Sequence, residues 1–155
     1  MATIAACLWF DGQAEDAARF YVAAFQAAGQ PAALGEVLRR DQGAVLTVGF
    51  TLAGQDFIAL NGGPHFQFTP AISLFVTVAG QAELDAIWDR LSADPAAERC
   101  GWLKDRFGIS WQVVPEALGR LLRDADAARA GRAMAALLRM GRLDIAALER
   151  AHAGE

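Results

Sequence analysis

The feature that most constrains the fold of this chain is a tetrapeptide that occurs twice. Gly12-Gln13-Ala14-Glu15 returns as Gly80-Gln81-Ala82-Glu83, 68 residues further along. Both copies follow an apolar segment with strand character and precede a segment with helical spacing, and similar strand-like segments come after each helix. Repetition of this kind is typical of a duplicated structural unit. The sequence therefore predicts two copies of a β-α-β-β-β unit and allows the second to be one strand shorter.

The first copy begins with a predicted strand over residues 3–10, which ends at a turn signal. Apolar residues then recur at i, i+3, i+4 and i+7 over 13–28, which predicts an amphipathic helix. Gly29 and Pro31 end this helix. Three strand-like segments follow at 35–40, 44–53 and 56–60. The short turns between them favour an antiparallel meander.

The second copy contains a predicted strand at 72–78, a helix at 83–91 and a hairpin within 100–115. Alternation along the last strand places Ile109, Trp111 and Val113 on a face that packs in the core. Ser110 and Gln112 point to the opposite face, where they could line a cleft together with Trp102 and Lys104. In one interpretation Lys104 holds an anionic group of a ligand. In the other, the hairpin is simply stable, with core tryptophans and Lys104 at the rim.

The last 40 residues depart from the repeat and are predicted to be helical. One helix begins at Pro115, a longer one spans about 126–140, and Asp144 caps a final helix. The predicted fold class is therefore α+β: paired βαβββ modules with a C-terminal helical extension. We expect one domain over 1–155, with module one at about 1–62, module two at about 70–114 and the tail at 115–155. The apolar face of the 126–140 helix suits packing on the domain or on a second subunit.

Composition excludes several classes of function. The net charge of −4 argues against nucleic acid or an anionic membrane as partner. No apolar stretch approaches the roughly 20 residues of a membrane helix. Two cysteines, Cys7 and Cys100, are too few for a disulfide framework or a cysteine zinc site, which favours a cytoplasmic protein with reduced thiols. Cys7, on the first strand, is expected in the core.

Two polar residues near the middle of the chain are candidates for a site. Asn61 opens an Asn-Gly-Gly-Pro segment and either hydrogen-bonds a ligand or ends its strand as an Asx turn. His65 follows this segment and is either a general base that acts near neutral pH or a surface or capping residue. The other histidine, His152, is expected to be exposed in the C-terminal tail.

Four segments together resemble one known family. They are LWFDGQAEDAARFY (8–21), NGGPHFQF (61–68), CGWLKDRFGISWQVVP (100–115) and MGRLDIAAL (140–148). They are similar to the PhnB-like proteins of the glyoxalase/bleomycin resistance/dioxygenase, or vicinal-oxygen-chelate, superfamily, whose members are often labelled 3-demethylubiquinone 3-methyltransferase. The resemblance implies paired βαβββ modules, a cleft inside each curved sheet and a homodimer. A Gly-rich loop after a parallel strand, typical of methyltransferases that bind S-adenosylmethionine, is absent from the sequence.

Enzymes of this superfamily hold a divalent metal with four ligands, one from each of four strands. The resemblance places these positions at Ala5 or Ala6, Ala59, Ser73 and Gln112. Alanine has no donor atom and a serine hydroxyl is a poor ligand. We therefore expect no metal and no cofactor.

The sequence thus predicts a small cytoplasmic homodimer that binds a small, partly apolar molecule. The expected binding residues are Asn61, His65, Ser73, Trp102, Lys104, Ser110 and Gln112. One alternative is an enzyme, a lyase, isomerase or transferase acting on a small oxygenated substrate, with His65 as base. The other is a module that sequesters a drug or metabolite.

Overall fold

The computed structural model describes every residue from Met1 to Glu155. Its contacts divide the chain into two compact units, Met1–Phe68 and Thr69–Glu155. This division falls in the segment that separates the two predicted modules. The elements follow in the order β1 (Ala6–Phe10), α1 (Ala14–Ala27), β2 (Ala32–Arg39), β3 (Val45–Leu52), β4 (Gln55–Asn61), β5 (Ser73–Val78), α2 (Gln81–Leu91), β6 (Trp102–Lys104), β7 (Ser110–Pro115), α3 (Glu116–Leu122), α4 (Ala127–Leu137) and α5 (Ile145–Ala153).

The first unit is a four-stranded sheet in the order β1-β4-β3-β2, covered on one face by α1. β1 runs parallel to β4, and the other neighbours are antiparallel. Helical spacing along α1 buries Ala17, Tyr21 and Phe25, and the Tyr21 ring stacks on Phe50 of β3 at 6.1 Å between centroids. The predicted β-α-β-β-β order of this module is confirmed.

Pairing moves two strand boundaries from their predicted places. β2 begins at Ala32 instead of residue 35, because Ala32 and Ala33 pair with Leu52 and Thr51 at the end of β3. β1 begins at Ala6 instead of residue 3, since its pairing with β4 starts at Phe57. Local composition could not reveal either limit, because each depends on a strand far along the chain.

The second unit has a three-stranded sheet in the order β5-β7-β6, one strand fewer than the first. β5 is parallel to β7, and β6 is antiparallel to it. One face of the hairpin packs against α2. The buried side chains of the hairpin are Leu103, Ile109, Trp111 and Val113, and those of α2 include Leu84, Ile87 and Trp88. The predicted core-packing face of β7 is therefore confirmed.

The helical tail packs within the second unit and buries Leu121, Leu143 and Leu148. The predicted cap is present, because Asp144 Oδ1 accepts a hydrogen bond from the Ala147 N–H at 2.9 Å. The prediction that His152 is exposed is wrong. Its side chain is only 13% exposed, and its Nε2 lies 2.8 Å from Asp124 Oδ2. No helix in this structure is long and apolar enough to cross a membrane.

Candidate functional site

Five of the seven predicted site residues share one face of the second sheet. Cross-strand partners project to the same side of a sheet. Lys104 pairs with Ser110, which pairs with Ser73, and in the next row Trp102 pairs with Gln112. This face, which we call the open face, lies opposite the buried side chains that pack on α2. Phe75, the partner of Gln112 on β5, is 60% exposed there.

A groove of about 610 Å³ lies along the β6 side of the open face. Three predicted site residues border it, namely Trp102, Lys104 and Ser110, together with Pro70, Ala97 and Arg99. Ser110 is 4% exposed and borders the groove, and no hydrogen bond joins its hydroxyl to another group of the protein. The groove therefore combines an indole, a free hydroxyl and two cationic side chains.

Two polar residues beside the groove already have partners. The Gln112 amide donates a hydrogen bond to Ser73 Oγ at 3.0 Å, so each partly satisfies the other. Lys104 Nζ lies 4.0 Å from Asp94 Oδ2, with both side chains more than two-fifths exposed. An exposed pair at this separation contributes little to stability. The ammonium group of Lys104 is therefore available to a stronger partner.

Sequence reasoning missed Arg99, which a second turn places on the open face. The backbone N–H and C=O groups of Arg99 and Trp102 exchange hydrogen bonds of 3.2 and 2.8 Å, and Cys100 and Gly101 between them have φ of 53° and 85°. Two consecutive positive φ values are the signature of a type I′ hairpin turn. As the bridge partner of Trp102, Arg99 projects to the same face. The glycine at the second central position was the available signal.

Asp105 was also missed, although it lies inside the predicted hairpin. Its carboxylate is buried and accepts hydrogen bonds from the backbone N–H groups of Phe107 and Ile109, at 2.8 and 3.0 Å, and from Trp111 Nε1 at 2.8 Å. These bonds hold the Asp105–Gly108 loop closed and fix the Trp111 ring. The orientation of the alternate residues Ser110 and Gln112 follows from this arrangement.

The other two predicted site residues, Asn61 and His65, lie in the first unit. Asn61 Oδ1 accepts a hydrogen bond from the Ala14 N–H at 2.9 Å, and its Nδ2 donates to the Val45 carbonyl at 3.2 Å. Its amide thus ties β4 to the start of α1, a role that neither sequence interpretation included. His65 is exposed in the loop after β4.

The Trp9 ring explains why residue 62 is a glycine. A Cβ on Gly62 would overlap the Cε2 and Cζ2 atoms of the Trp9 indole, and Trp9 Nε1 donates to the Gly63 carbonyl at 2.9 Å.

The prediction that Cys7 is buried is wrong. Cys7 is exposed, because β1 buries Leu8 and Phe10 on its helix side and turns Cys7 to the other face.

The residues at the four metal positions do not fit a divalent cation. Ala59 is fully buried among the residues that face α1, and neither it nor Ala5 or Ala6 has a donor atom. No three His, Cys, Asp or Glu side chains come together as a possible ligand set. The amide of Gln112 bonded to Ser73 is the only polar pair at these positions.

In each unit the first strand is parallel to the last, a helix follows the first strand, and the last two strands are antiparallel, so the chain is an α+β protein built of two similar modules. The model of the 3-demethylubiquinone-9 3-methyltransferase family matches residues 2–114, and the chain belongs to this PhnB-like family. The match ends at β7, so the helical tail lies outside it. The comparison with curated proteins finds no match.

Among solved structures, a putative 3-demethylubiquinone-9 3-methyltransferase, PhnB protein, from Bacillus cereus is 31% identical, with a TM-score of 0.61 over 74% of this chain and 99% of that one. Protein PA1353 from Pseudomonas aeruginosa is 20% identical, with a TM-score of 0.56 over 75% and 98%. A glyoxylase/bleomycin resistance protein/dioxygenase domain from Frankia sp. EAN1pec is 16% identical, with a TM-score of 0.49 over 74% and 91%.

Proposed function

We propose that this protein binds a small, partly apolar molecule on the open face of its second sheet. The observation that carries this proposal is the groove beside β6, where the half-buried Trp102 indole and the unpaired Ser110 hydroxyl lie next to each other. Ligand sites in proteins commonly combine aromatic surface with a few convergent polar groups. Ser73 and Gln112 extend the same face with a hydrogen-bonded polar pair that a ligand can contact.

Chemical-shift mapping of the ¹⁵N-labelled protein tests this proposal without knowledge of the natural ligand. Benzamide, a small molecule with an aromatic ring and one polar group, is titrated in at millimolar concentration. We expect the resonances of 99–104 and 110–112 to move, together with the Trp102 indole N–H. The indole of Trp88, a buried residue of α2, is the internal control. Absence of shifts with benzamide and with its charged analogues benzoate and phenyl phosphate, or shifts confined to the α2–α5 side, would refute binding at the groove.

We also propose that the protein is a homodimer. Supporting this, α4 buries Ala133 and Leu137 but leaves Met134 and Leu138 42% and 64% exposed on adjacent turns. Apolar side chains grouped on a surface often mark a subunit contact. Light scattering at micromolar concentration should give the mass of two chains.

The double variant Met134→Glu/Leu138→Glu should halve that mass, while Ala135→Glu on the same helix should not. A wild-type protein with the mass of one chain would refute the homodimer. A dimeric double variant would refute only the α4 contact.

A cytoplasmic location is a further part of the proposal. It is supported by the two cysteines, which are both free thiols, one of them exposed on β1. Fractionation of cells that express the tagged full chain would test it, with the protein expected in the cytoplasmic fraction.

A further inference from the structure

The charges around the groove allow the class of ligand to be narrowed. We infer that the groove takes a molecule that carries an oxyanion, a carboxylate or a phosphate, attached to a flat apolar group. The oxyanion would lie between Arg99 and Lys104 beside the Ser110 hydroxyl, and the flat group would lie on Trp102. This inference rests on the proposed binding function and specifies its ligand.

The first argument is the balance of charge. Lys104 is the only lysine among the 14 basic residues of the chain, and it borders the groove together with Arg99. Neither cation is neutralised closely. Arg99 is exposed and forms no ion pair, and the single acidic neighbour of Lys104 lies 4.0 Å away. Glu98, the other nearby carboxylate, accepts a hydrogen bond from Ser92 Oγ at 2.6 Å.

The second argument is that the backbone holds both cations on one face. Lys104 lies directly across from Ser110, and Arg99 lies across from Trp102. The Arg99 turn is itself anchored, because the N–H groups of Cys100 and Gly101 donate to the carbonyls of Met140 and Gly141 at 2.7 and 2.8 Å. A fixed turn reduces the entropy lost when a side chain orders on a ligand.

The third argument is the free donor at Ser110. Ser110 borders the groove, and its hydroxyl, which is not fully buried, has no hydrogen-bond partner within the protein. A hydroxyl can donate to an oxyanion, and guanidinium and ammonium groups form the stronger charge-assisted bonds. The half-buried Trp102 indole beside it suits a planar group.

The test compares matched probes on the full chain. Benzoate and benzamide have the same size and ring but differ in charge, and phenyl phosphate replaces the carboxylate with a phosphate. Affinities are measured at low salt by ¹H–¹⁵N shifts, and lysine-selective labelling yields a single side-chain signal, that of Lys104. We expect benzoate or phenyl phosphate to bind about fivefold or more tighter than benzamide, an advantage that 0.5 M salt reduces. The anion with the larger gain in affinity over benzamide shows whether the groove prefers a carboxylate or a phosphate.

Charge-removing variants locate the effect. Arg99→Gln and Lys104→Gln should each weaken the binding of the anionic probe about fivefold and leave benzamide unchanged. Arg90→Gln, an exposed arginine at the end of α2, changes the net charge equally and should change neither affinity. Equal binding of charged and neutral probes would overturn the inference and leave the proposed function standing. An equal loss of affinity for the anionic probe in all three variants would also overturn it, because the net charge of the protein would then account for the binding. If no probe binds, the proposed function itself fails.

Discussion

Asp105 shows how a single residue organises the candidate site. Its carboxylate receives two backbone N–H groups and the Trp111 indole, so one buried charge closes a loop and orients a core ring. Hydrogen bonds to a charged acceptor are stronger than those between neutral groups. Because side chains alternate along β7, fixing Trp111 inward also fixes Ser110 and Gln112 outward. Contacts of Asp105 and Trp111 on the buried side of the sheet thus determine which side chains of β7 face the groove.

Substitutions at adjacent residues of β7 should separate stability from binding. Trp111 is 1% exposed, so Trp111→Ala should lower the free energy of unfolding by about 3–5 kcal/mol through a cavity. Gln112→Ala should cost less than about 1 kcal/mol, because its one hydrogen bond is to the half-buried Ser73 and water can replace it. Denaturant unfolding of both variants provides the measurement. The reverse order of effects would contradict this assignment of faces.

Gly62 is required by the ring that packs on it. Gly62→Ala would force the Trp9 indole to move and break its hydrogen bond to Gly63, so we expect a loss of about 1–3 kcal/mol of stability. Gly131→Ala is the matched control, since a Cβ there meets nothing within 4 Å and the residue lies inside α4. That variant should be stabilised by up to about 1 kcal/mol. A Gly62→Ala protein as stable as wild type in thermal melts would disprove the overlap.

At the scale of elements, the two copies of the repeated tetrapeptide perform different tasks. Gln81 donates to the Leu143 carbonyl and accepts from the Ile145 N–H, at 3.0 and 2.9 Å, so it joins α2 to the start of α5. Gln13, its counterpart, is exposed and caps α1 without a side-chain hydrogen bond. Of the two equivalent glutamines, only Gln81 has hydrogen-bond partners in a second element, and these partners belong to the helical tail.

This difference predicts unequal effects of the same substitution. Gln81→Ala should weaken the docking of α5 by about 1–2 kcal/mol, because two backbone groups lose a half-buried partner. Gln13→Ala should change stability by less than about 0.5 kcal/mol. Amide hydrogen exchange in 145–153 measures the docking directly. Exchange in this segment that is equally fast in both variants would count against the role of Gln81.

A second contact of α5, between His152 and Asp124, predicts that the stability of the protein falls in acid. The Asp126 N–H and then the His152 ring hold the pKa of the Asp124 carboxyl below its usual value. A carboxyl with a lowered pKa in the folded state stabilises that state above the unfolded pKa of about 3.9, and this contribution is lost as pH falls through the folded value.

The difference in melting temperature between wild type and Asp124→Asn should therefore shrink as the pH falls below about 4. Asp41→Asn, which alters an exposed turn residue, is the control and should show no such convergence. A gap between wild type and Asp124→Asn that does not depend on pH would exclude this contribution.

At the scale of the whole molecule, the side chains available as metal ligands argue against metal binding. Alanines occupy the positions of two expected ligands, and no acidic, histidine or cysteine cluster replaces them. We expect the protein to retain no stoichiometric nickel, zinc or manganese after desalting. Metal analysis by mass spectrometry checks this. One equivalent of metal that is lost in Gln112→Ala would show that a site exists after all.

The sequence alone determined the fold class, the order of nearly all elements and the face of β7 that packs in the core. These depend on local periodicity, on the repeated tetrapeptide and on turn residues, which act over a few neighbours. Only the tertiary structure decided the neighbours of each polar side chain. Asn61 bonds Ala14, Gln81 bonds the residues around α5, and His152 bonds Asp124, each across 28 or more positions of the chain. The exposure of Cys7 and the place of Arg99 beside Trp102 follow from strand register and turn geometry, which depend on pairing between segments and leave only a weak trace in local composition.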